Sequence, residues 1–515
     1  MRRYDVLVIG GGLLGCFAAR SLTRYDLKVA LLEKREDLCT GISRANTAIV
    51  YSGCDTKPGT MKTSMCIKSS QGFAALCGEL GVRYSACGSV MVCFGERGDA
   101  VLRRKLEQGI GQGIRGMRLL SGAEVLELEP NIAGNVHSGL YVPDTGTVMP
   151  WELCLAAAEN AVKNGTEVFP DTEVTGIGGD GGAREAGAYL GAGEAGEYEV
   201  RTNKGTFFAR AIVNCAGVSA DSVLEMASGP VVRIVPAAGE YFVLDTKAAG
   251  HIRHIIFHER EEKGKGLTLV PTVDGNILVG ATERRNPRTA GFSGGRNARA
   301  SNVTTREGQA RLKALVSEVV PSLPMEHVIN SFGAVRPVPY MLRQSEDGGW
   351  VTDDKSLSDF PIVESNDGTI ISFVGIKTPG LTCAGELGAY AAEKIAARLN
   401  AAPNMGFDPS RPFPVRPNEL TYEERDALIR GNPGYGAIVC RCRGVSEGEI
   451  VDAIRRFPGA KTTDGVRRRT CAGSGRCQGG YCTRRVVEIL ARELGCAPGE
   501  VTMSGKNSNI LVQDR

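Results

Sequence analysis

The sequence lacks the features that would mark a membrane, exported or nucleic-acid-binding protein. It has no apolar run of about eighteen residues or more, the length that a membrane-spanning helix requires. Its start, Met-Arg-Arg-Tyr-Asp, leads into a strand pattern rather than a signal peptide. A net charge of +3 and an aromatic content of 6% give no indication of a nucleic-acid surface. We therefore expect no export, no transmembrane segment and no nucleic-acid partner.

Histidine is scarce, with five residues in the chain, whereas cysteine is abundant, with sixteen. Disulfide-rich chains are usually short and secreted. Because this chain is long and shows no signal peptide, its cysteines are expected to be reduced thiols or metal ligands. Reduced thiols indicate a cytoplasmic location. Glycine is also abundant, with 67 residues, which is typical of many tight turns and cofactor loops.

The length of 515 residues predicts two or three domains. The chain begins with a strand, a helix and a second strand, at Tyr4–Ile9, Leu13–Thr23 and Lys28–Glu33. This βαβ unit predicts an α/β fold with a parallel, Rossmann-like sheet. A further apolar strand, Arg210–Gly217, ends in Asn-Cys-Ala-Gly.

A second, sheet-rich lobe is predicted by strands of alternating character, such as Glu240–Leu244 and Asn276–Gly280. The Gly-, Ala- and Glu-rich segment 176–196 is typical of a surface excursion within a hairpin. A proline-rich polar stretch after residue 400 predicts a linker. The module that follows is basic, because residues 435–496 contain twelve Lys and Arg against six Asp and Glu.

The segment Gly10–Gly15, Gly-Gly-Gly-Leu-Leu-Gly, has G-x-G-x-x-G spacing between a strand and a helix. In this motif the glycines allow a tight turn and a close approach to a pyrophosphate, which the helix N-terminus faces. Glu33 ends the next strand, where it can accept hydrogen bonds from ribose hydroxyls. The pattern predicts a dinucleotide site, and FAD and NAD fit it equally well.

The second chemical signal is a group of cysteines near the C-terminus. Cys440 and Cys442 form one close pair, and Cys477 and Cys482 form another after thirty-four intervening residues. We predict these four as metal ligands, since four thiolates suit a [2Fe–2S] cluster or zinc. Nearby arginines would compensate the negative charge of a cluster, which favours the cluster over zinc. Cys471 lies in the same module and is predicted to lie beside the site or to replace a ligand.

The two sites together favour FAD as the dinucleotide. Organic substrates usually lose two electrons as a hydride, a nicotinamide exchanges only hydride, and an iron–sulfur cluster carries one electron at a time. Flavin can do both. We therefore predict FAD and a [2Fe–2S] cluster as the cofactors.

Four segments carry a resemblance to a known family: Asp5–Gly12, Ser43–Thr47, Asn214–Gly217 and Gly375–Thr382. They resemble the glycine-oxidase-like, or D-amino-acid-oxidase-like, superfamily of FAD-dependent oxidoreductases, and within it most closely the flavin subunits of anaerobic glycerol-3-phosphate dehydrogenases. The resemblance covers nearly the whole chain. The C-terminal module resembles the [2Fe–2S] domain of bacterioferritin-associated ferredoxins.

This resemblance implies a division of the chain into an oxidoreductase region and a small helical domain. The expected parts are an FAD-dependent oxidoreductase region over 1–400, a linker over 401–434, a [2Fe–2S]-binding domain over 435–500 and a tail over 501–515. Within the first part, the Rossmann-like FAD-binding lobe would take about 1–80, 150–220 and 330–400, and an interleaved β-sheet-rich substrate lobe about 81–149 and 221–329.

The resemblance also implies which residues bind FAD. Arg44–Thr47 would line the flavin, the backbone of Val174 would meet the adenine, and Gly375–Thr382 would cover the isoalloxazine beside a helix N-terminus that stabilises the reduced anion. The predicted set is Gly10, Gly12, Leu13, Leu14, Gly15, Glu33, Lys34, Ser43, Arg44, Ala45, Asn46, Thr47, Val174, Ala216, Gly217, Gly375, Ile376, Gly380, Leu381 and Thr382.

Arg336 matches an arginine that similar enzymes use to bind the anion of the substrate, and Lys377 lies where glycerol-3-phosphate dehydrogenases have a lysine. The resemblance therefore implies a small anionic secondary alcohol, foremost sn-glycerol 3-phosphate, whose phosphate or carboxylate would suit both cations. Its hydroxyl proton must pass to a base, for which Tyr51, His254 and His258 are the predicted candidates.

Some residues depart from the glycerol-3-phosphate pattern. Related enzymes often carry His-Ala-Gly or His-Ser-Gly where this chain has Tyr51-Ser52-Gly53, and an arginine is replaced by Cys54-Asp55. The run Lys57–Lys62 resembles instead L-2-hydroxyglutarate oxidoreductases of the same superfamily, which makes a 2-hydroxyacid dehydrogenase the main alternative. The family's His-Gly-Asn turn reads Asp274-Gly275-Asn276 here, so we expect the pocket to differ from both.

Two further alternatives are an amino-acid or amine dehydrogenase subunit and a non-catalytic electron-relay subunit. In the main interpretation, electrons pass from the flavin to the cluster and then to a redox partner protein or an additional subunit. The basic C-terminal module could bind an acidic partner by electrostatic steering. Such a partner could also hold the protein at a membrane surface.

Overall fold

The computed structural model describes residues 2–178, 196–260, 266–285, 303–345 and 349–511. In chain order, its strands are β1 (Arg2–Ile9), β2 (Val29–Leu32), β3 (Ile49–Val50), β4 (Tyr84–Ser85), β5 (Ser89–Cys93), β6 (Arg118–Ser121), β7 (Ser138–Val142), β8 (Gly146–Val148), β9 (Glu167–Phe169), β10 (Val174–Gly178), β11 (Tyr198–Thr202), β12 (Gly205–Asn214), β13 (Val232–Leu244), β14 (Ile255–His258), β15 (Thr268–Pro271), β16 (Ile277–Gly280), β17 (Arg284–Arg285), β18 (Val328–Gln344), β19 (Trp350–Thr352), β20 (Ile362–Glu364), β21 (Ile370–Phe373), β22 (Ile438–Cys440) and β23 (Val445–Ser446). Its α-helices are α1 (Leu13–Leu22), α2 (Met61–Leu80), α3 (Glu96–Gly111), α4 (Gly122–Leu128), α5 (Pro150–Lys163), α6 (Ala220–Ser228), α7 (Arg306–Val319), α8 (Ala384–Leu399), α9 (Tyr422–Gly431), α10 (Glu447–Arg455), α11 (Thr463–Thr470) and α12 (Thr483–Leu494).

The first sheet has β1 at its centre. β1 runs parallel to β12 on one side and to β2 on the other, and β21 and β9 extend the parallel pairing outward. Val6, Leu7 and Val8 are completely buried, which is why β1 is a continuous apolar run, as expected of a parallel strand covered on both faces. The predicted βαβ unit and the α/β fold are confirmed.

Antiparallel strands β10 and β11 extend this sheet beyond β12. They form the two arms of the hairpin that the glycine-rich segment predicts, while residues 179–195 of the excursion itself lie outside the described residues. β12 begins at Gly205, five residues before the predicted start, and ends at Asn214.

The second sheet is largely antiparallel, in the order β19-β18-β13-β16-β15-β14-β5-β7-β6, with β17 beside β13. Helix α7 contributes Leu312, Val316 and Val319 to its core. This sheet is the predicted sheet-rich lobe. β18 is a strand of 17 residues that starts at Val328, so the lobe continues to Thr352, past the expected limit at residue 329.

The C-terminal domain has a core of its own, formed by residues such as Ile450, Val466 and Leu490. It consists of the short pair β22–β23 followed by α10, α11 and α12. Ser446 and Glu449 close a capping box at the start of α10, which fixes where that helix begins. The domain is helical, as predicted.

The segment 401–434 contains α9 and is attached to the first lobe. The buried guanidinium of Arg411 bonds the carboxylate of Glu159 in α5 at 2.5 Å. Arg456, at the end of α10, reaches the other oxygen of the same carboxylate at 2.8 Å. One side chain of helix α5 thus holds both this segment and the C-terminal domain. None of the helices in the described ranges is long and apolar enough to cross a membrane.

Candidate functional site

The glycine turn between β1 and α1 is tightly packed. Gly10 has a φ of +109°, and a Cβ at Gly15 would lie 1.9 Å from the carbonyl oxygen of Gly10, so only glycine allows the helix to approach the strand this closely. The N-cap residue Gly12 supplies no side-chain cap to α1. The helix N-terminus therefore faces the carboxyl edge of the sheet, where a pyrophosphate binds in such folds.

Glu33 lies directly after β2, at the same edge. Its carboxylate accepts hydrogen bonds from the backbone N–H of Gly11 at 2.6 Å and of Arg35 at 2.8 Å. Burial raises the pKa of this carboxyl, against the effect of the two N–H donors. A buried carboxylate beside the glycine turn is the group that ribose hydroxyls require, so these residues fit a dinucleotide.

The segment Ile42–Arg44 forms one turn of 3₁₀-helix over the glycine turn. The hydroxyl of Ser43 accepts a hydrogen bond from the backbone N–H of Leu13 at 2.9 Å. Asn46 donates to the carbonyl oxygens of Ile42 and Ser43 and accepts from the N–H of Ala48, which fixes the shape of the loop. The predicted flavin-lining loop thus begins at the N-terminus of α1.

The opposite wall of the cleft is formed by the end of β12. A Cβ at Gly10 would lie 2.5 Å from the carbonyl oxygen of Cys215, so the glycine turn and the Ala216–Gly217 segment are adjacent. Lys34, after Glu33, donates to the hydroxyl of Ser219 at 3.1 Å. Val174 lies buried at the start of β10 in the same sheet. The backbone N–H of Thr172, two residues before Val174, donates to the carbonyl oxygen of Glu33 at 2.8 Å, so Val174 also lies near this cleft.

The loop Gly375–Thr382 links this cleft to the second sheet. A Cβ at Gly375 would lie 2.6 Å from the side chain of Pro339 in β18. At the other end of the loop, the hydroxyl of Thr382 accepts a hydrogen bond from the backbone N–H of Tyr51 at 3.0 Å. Helix α8 starts at Ala384, immediately after the loop. This is the arrangement expected for a loop that covers a flavin ring beside a helix N-terminus.

Arg336 lies on β18 near this loop, and two tyrosines accompany it. Its Nη2 donates to the hydroxyl of Tyr241 in β13 at 3.1 Å. Burial by itself would lower the pKa of the Arg336 guanidinium. The interactions with Tyr241, Glu283 and Tyr51 outweigh this effect and raise the pKa. Tyr51 thus lies close enough to Arg336 to affect its pKa, and the hydrogen bond to Arg336 adds Tyr241, for which no sequence motif gave a signal.

Tyr51 is a hydrogen-bonding group rather than a base. Its hydroxyl lies 3.5 Å from the hydroxyl of Thr47, and its ring stacks on that of Phe257 with centroids 6.1 Å apart. Burial raises the pKa of Tyr51 to about 12, so the phenol keeps its proton at neutral pH. The prediction of Tyr51 as the base is therefore not supported by its environment.

The geometry also argues against the two predicted histidine bases. Side chains alternate along β14, so His258 and the preceding His254 face away from the side on which Phe257 meets Tyr51. His254 Nδ1 contacts the buried carboxylate of Glu129 at 2.7 Å. His258 is buried, and its Nε2 lies 3.7 Å from Glu318. Both imidazoles have structural partners within the second lobe.

Lys62, in the first turn of α2, is a second residue that the sequence analysis missed. It is 8% exposed, and its Nζ donates to the carbonyl oxygen of Ser358 at 2.6 Å. Burial and the positive charge of Lys377 lower the pKa of Lys62. In the sequence, Lys62 is notable only as the end of the run Lys57–Lys62, which resembles L-2-hydroxyglutarate oxidoreductases.

The four predicted cluster cysteines converge as two pairs. Cys442 Sγ and Cys477 Sγ are 3.7 Å apart, and two sulfurs about 2.3 Å from one tetrahedral metal ion lie about that far from each other. Hydrogen bonding to Cys482 lowers the pKa of Cys440 to about 6, and thiolate is the form that binds metal. Within the described residues no three metal-binding side chains surround one point. Two close pairs of cysteines fit a [2Fe–2S] cluster, which four thiolates hold.

Cys471 is turned away from these four residues. Its Sγ lies 3.6 Å from Oδ2 of Asp274, and burial raises the pKa of the thiol to about 12. Arg443 bonds the carbonyl oxygen of Asp274 and the side chain of Asn276. The turn Asp274–Asn276, which we expected to shape the substrate pocket, therefore contacts the C-terminal domain.

These features define the chain as an FAD-dependent oxidoreductase with a separate iron–sulfur domain. Residues 5–394 match the family described as FAD dependent oxidoreductase, and residues 438–492 match the BFD-like [2Fe-2S] binding domain. The first match covers well over half of the chain, so the protein belongs to this family of FAD-dependent oxidoreductases. Its cofactors are FAD and a [2Fe–2S] cluster.

Among characterised relatives, glycerol 3-phosphate dehydrogenase of Caloramator mitchellensis is 36% identical over 514 residues, 99% of this chain and 98% of the relative. L-2-hydroxyglutarate dehydrogenase of Escherichia coli (strain K12) is 26% identical, over 78% of this chain and 96% of the relative. The solved structure of L-alpha-glycerophosphate oxidase from Mycoplasma pneumoniae with FAD bound has a TM-score of 0.67 and 24% identity, and covers 81% of this chain and 100% of that chain. The last likeness concerns the fold.

Proposed function

We propose that the protein is a dehydrogenase that oxidises sn-glycerol 3-phosphate and passes the electrons, through FAD and the [2Fe–2S] cluster, to a separate acceptor protein. The observation that carries the proposal is the half-buried cation of Arg336, held by Tyr241 beside the loop Gly375–Thr382. The 36% identity to a glycerol 3-phosphate dehydrogenase over nearly the whole chain supports the same substrate.

The roles of the side chains follow from their positions. Arg336 would bind the phosphate through paired N–H donors, with Lys377 as a second cation. Tyr51 would donate a hydrogen bond to a substrate oxygen, since its phenol stays protonated. Phe257, stacked on Tyr51, would help to exclude water from the reacting carbon.

The two cofactors supply complementary chemistry: flavin accepts a hydride and releases single electrons, and the cluster takes one electron at a time. In the C-terminal domain Cys440 and Cys482 are buried, whereas Cys442 is exposed and Cys477 is partly exposed. The exposed pair supports electron exit at this surface. We propose an acidic acceptor protein or a further subunit there, because the domain carries a surplus of basic residues. The cytoplasmic location stays a prediction.

Anaerobic visible spectroscopy tests the proposal. Adding sn-glycerol 3-phosphate should bleach the flavin bands first and the cluster bands afterwards. Arg336→Gln should raise the substrate concentration at half-reduction by about a hundredfold, as expected for a lost charge-assisted bidentate contact. Arg343→Gln, on the exposed end of the same strand, is the matched control and should leave it unchanged. The proposed substrate is wrong if the wild-type flavin stays oxidised.

The second candidate is an L-2-hydroxyglutarate dehydrogenase, favoured by the 26% identity to that enzyme over 78% of the chain and by the run Lys57–Lys62. The buried ammonium of Lys62 provides a second positive site for a substrate with two carboxylates. Bleaching by L-2-hydroxyglutarate but not by glycerol 3-phosphate would establish this function. Release of ammonia from an amino acid would instead indicate an amine dehydrogenase.

A further inference from the structure

A buried ion cluster joins the FAD-binding lobe to α11 of the iron–sulfur domain. Asp37, four residues after Glu33, is 4% exposed. Its carboxylate bonds Nη2 of Arg468 at 2.5 Å and both terminal nitrogens of Arg469 at 2.8 Å. Burial by itself would raise the pKa of the Asp37 carboxyl. The two guanidinium groups outweigh this effect and lower the pKa to about 2. Both arginines are on α11, so the contact crosses the boundary between the domains.

Asp37 is directly connected to the glycine turn. Two residues further on, the backbone N–H of Cys39 donates to the carbonyl oxygen of Gly11 at 2.9 Å. Between them, the side chain of Leu38 leaves no room for a Cβ at Gly11, which would lie 2.3 Å away. A displacement of Asp37 would therefore shift the backbone against which the turn is packed.

Helix α11 contacts the same loop at a second point. Asp464, in its first turn, forms an ion pair with Arg44 at 3.3 Å. Arg44 follows Ser43, whose hydroxyl accepts from the N–H of Leu13 at the N-terminus of α1. The loop 37–44 is thus held between the glycine turn on one side and α11 on the other.

We propose that α11 of the iron–sulfur domain is a structural part of the FAD-binding site, so that FAD binding and docking of the domain stabilise each other. Asp37, Arg468 and Arg469 are positioning residues that act through the loop 37–44. By thermodynamic linkage, a change that loosens the contact between α11 and the loop 37–44 must weaken FAD binding by the same factor by which FAD stabilises that contact. The proposal rests on FAD lying at the glycine turn and is independent of which substrate is oxidised.

The test compares the release of FAD from three variants of the full-length protein. Asp37→Asn removes the charge that holds two arginines. Asp464→Asn breaks the partly exposed pair with Arg44, together with the pair that Asp464 forms with Arg467 within α11. Asn330→Ala is the matched control, since it removes a contact with Gln478 of the same domain that lies on the second lobe. Free-flavin fluorescence after dilution gives the dissociation rate of FAD, and absorbance of the cluster shows that the C-terminal domain is still folded.

Asp37→Asn should accelerate FAD release by about fivefold or more, within the usual range of coupling between sites, and Asp464→Asn should do so to a smaller extent. Asn330→Ala should have no effect. Removal of FAD from the wild-type protein should in turn speed proteolytic cleavage within 401–434. Unchanged FAD release in both aspartate variants would overturn the proposal, as would an equal effect in the control. If Asp37→Asn yields no folded protein, the FAD release of Asp464→Asn alone tests the proposal. Neither result depends on the identity of the substrate.

Discussion

The hydroxyl of Tyr241 accepts a hydrogen bond from Nη2 of Arg336 at 3.1 Å, across the paired strands β13 and β18. The ring of Tyr241 stacks on Phe332, the residue directly opposite it in the ladder, with centroids 4.7 Å apart. Tyr241 is 3% exposed. The stacked ring therefore fixes the position of its hydroxyl, and the hydroxyl fixes one end of the guanidinium.

Tyr241→Phe removes this hydroxyl and keeps the stacked ring. We expect KM for glycerol 3-phosphate to rise about tenfold, because a hydrogen bond to a charged group contributes about 1.5–3 kcal/mol, while kcat changes less. The melting temperature should stay within about two degrees of the wild-type value, since the apolar contact is retained. Tyr390→Phe, which loses a bond to Glu364 elsewhere, is the control. An unchanged KM would show that Tyr241 does not position Arg336.

Two cysteine variants separate the cluster ligands from their neighbour. Cys477→Ser should abolish the cluster absorbance while substrate still bleaches the flavin, because Cys477 belongs to the pair spaced for one metal ion. Cys471→Ser should keep the cluster, because its thiol contacts Asp274 instead. Visible spectra and iron content measure both results. Loss of the cluster in Cys471→Ser would mean that Cys471 is itself a ligand.

The ionisation of Tyr51 should be absent from the pH dependence of activity. Burial raises the pKa of its phenol from 10.0 to about 12, so the contribution of Tyr51 to folding stability is complete below pH 10 and lost as the pH rises towards 12. Tyr51→Phe should lower kcat/KM about tenfold. The ratio of the wild-type kcat/KM to that of the variant should be constant between about pH 6 and pH 9. A ratio that changes within this range would mean that Tyr51 titrates there and acts as the base.

His254 should contribute to stability and not to catalysis. The carboxylate of Glu129, which is 1% exposed, meets its Nδ1 at 2.7 Å. His254→Ala should therefore destabilise the protein by about 1–3 kcal/mol, the cost of a buried acceptor that loses a partner, as measured by urea unfolding. The kcat/KM of the folded variant should stay within about twofold of wild type. A loss of activity at unchanged stability would restore His254 as a candidate base.

The parts of the site that local spacing encodes could be predicted from the sequence. The turn Gly10–Gly15 and the four cluster cysteines each lie in short sequence segments. The residue types and their spacing within these segments indicate what they bind. Tyr241 could not be predicted, because its partner Arg336 is 95 residues away and the contact depends on the register of two paired strands. Lys62 could not be predicted either, because its burial depends on the packing of α2 against Ser358 and Phe360, about 300 residues away.

The limit of the second lobe illustrates a different difficulty. Pro337 and Pro339 interrupt the sequence pattern of β18, and proline usually argues against a central strand. In the structure β19 pairs with Leu342–Gln344 of β18, so at the two prolines β13 is the one neighbouring strand of β18 among the described residues. A strand edge tolerates the missing N–H groups. Sequence alone gives no information about where a sheet ends.

Glu159 takes one guanidinium from Arg411 and another from Arg456, so the segment before the iron–sulfur domain and the domain itself are fastened to the same helix. The domain is therefore not attached through a flexible linker, and we expect that it does not move between a position facing the flavin and a position facing a partner. Electron transfer from flavin to cluster should take place across one fixed distance, and its rate should be insensitive to the viscosity of the solvent.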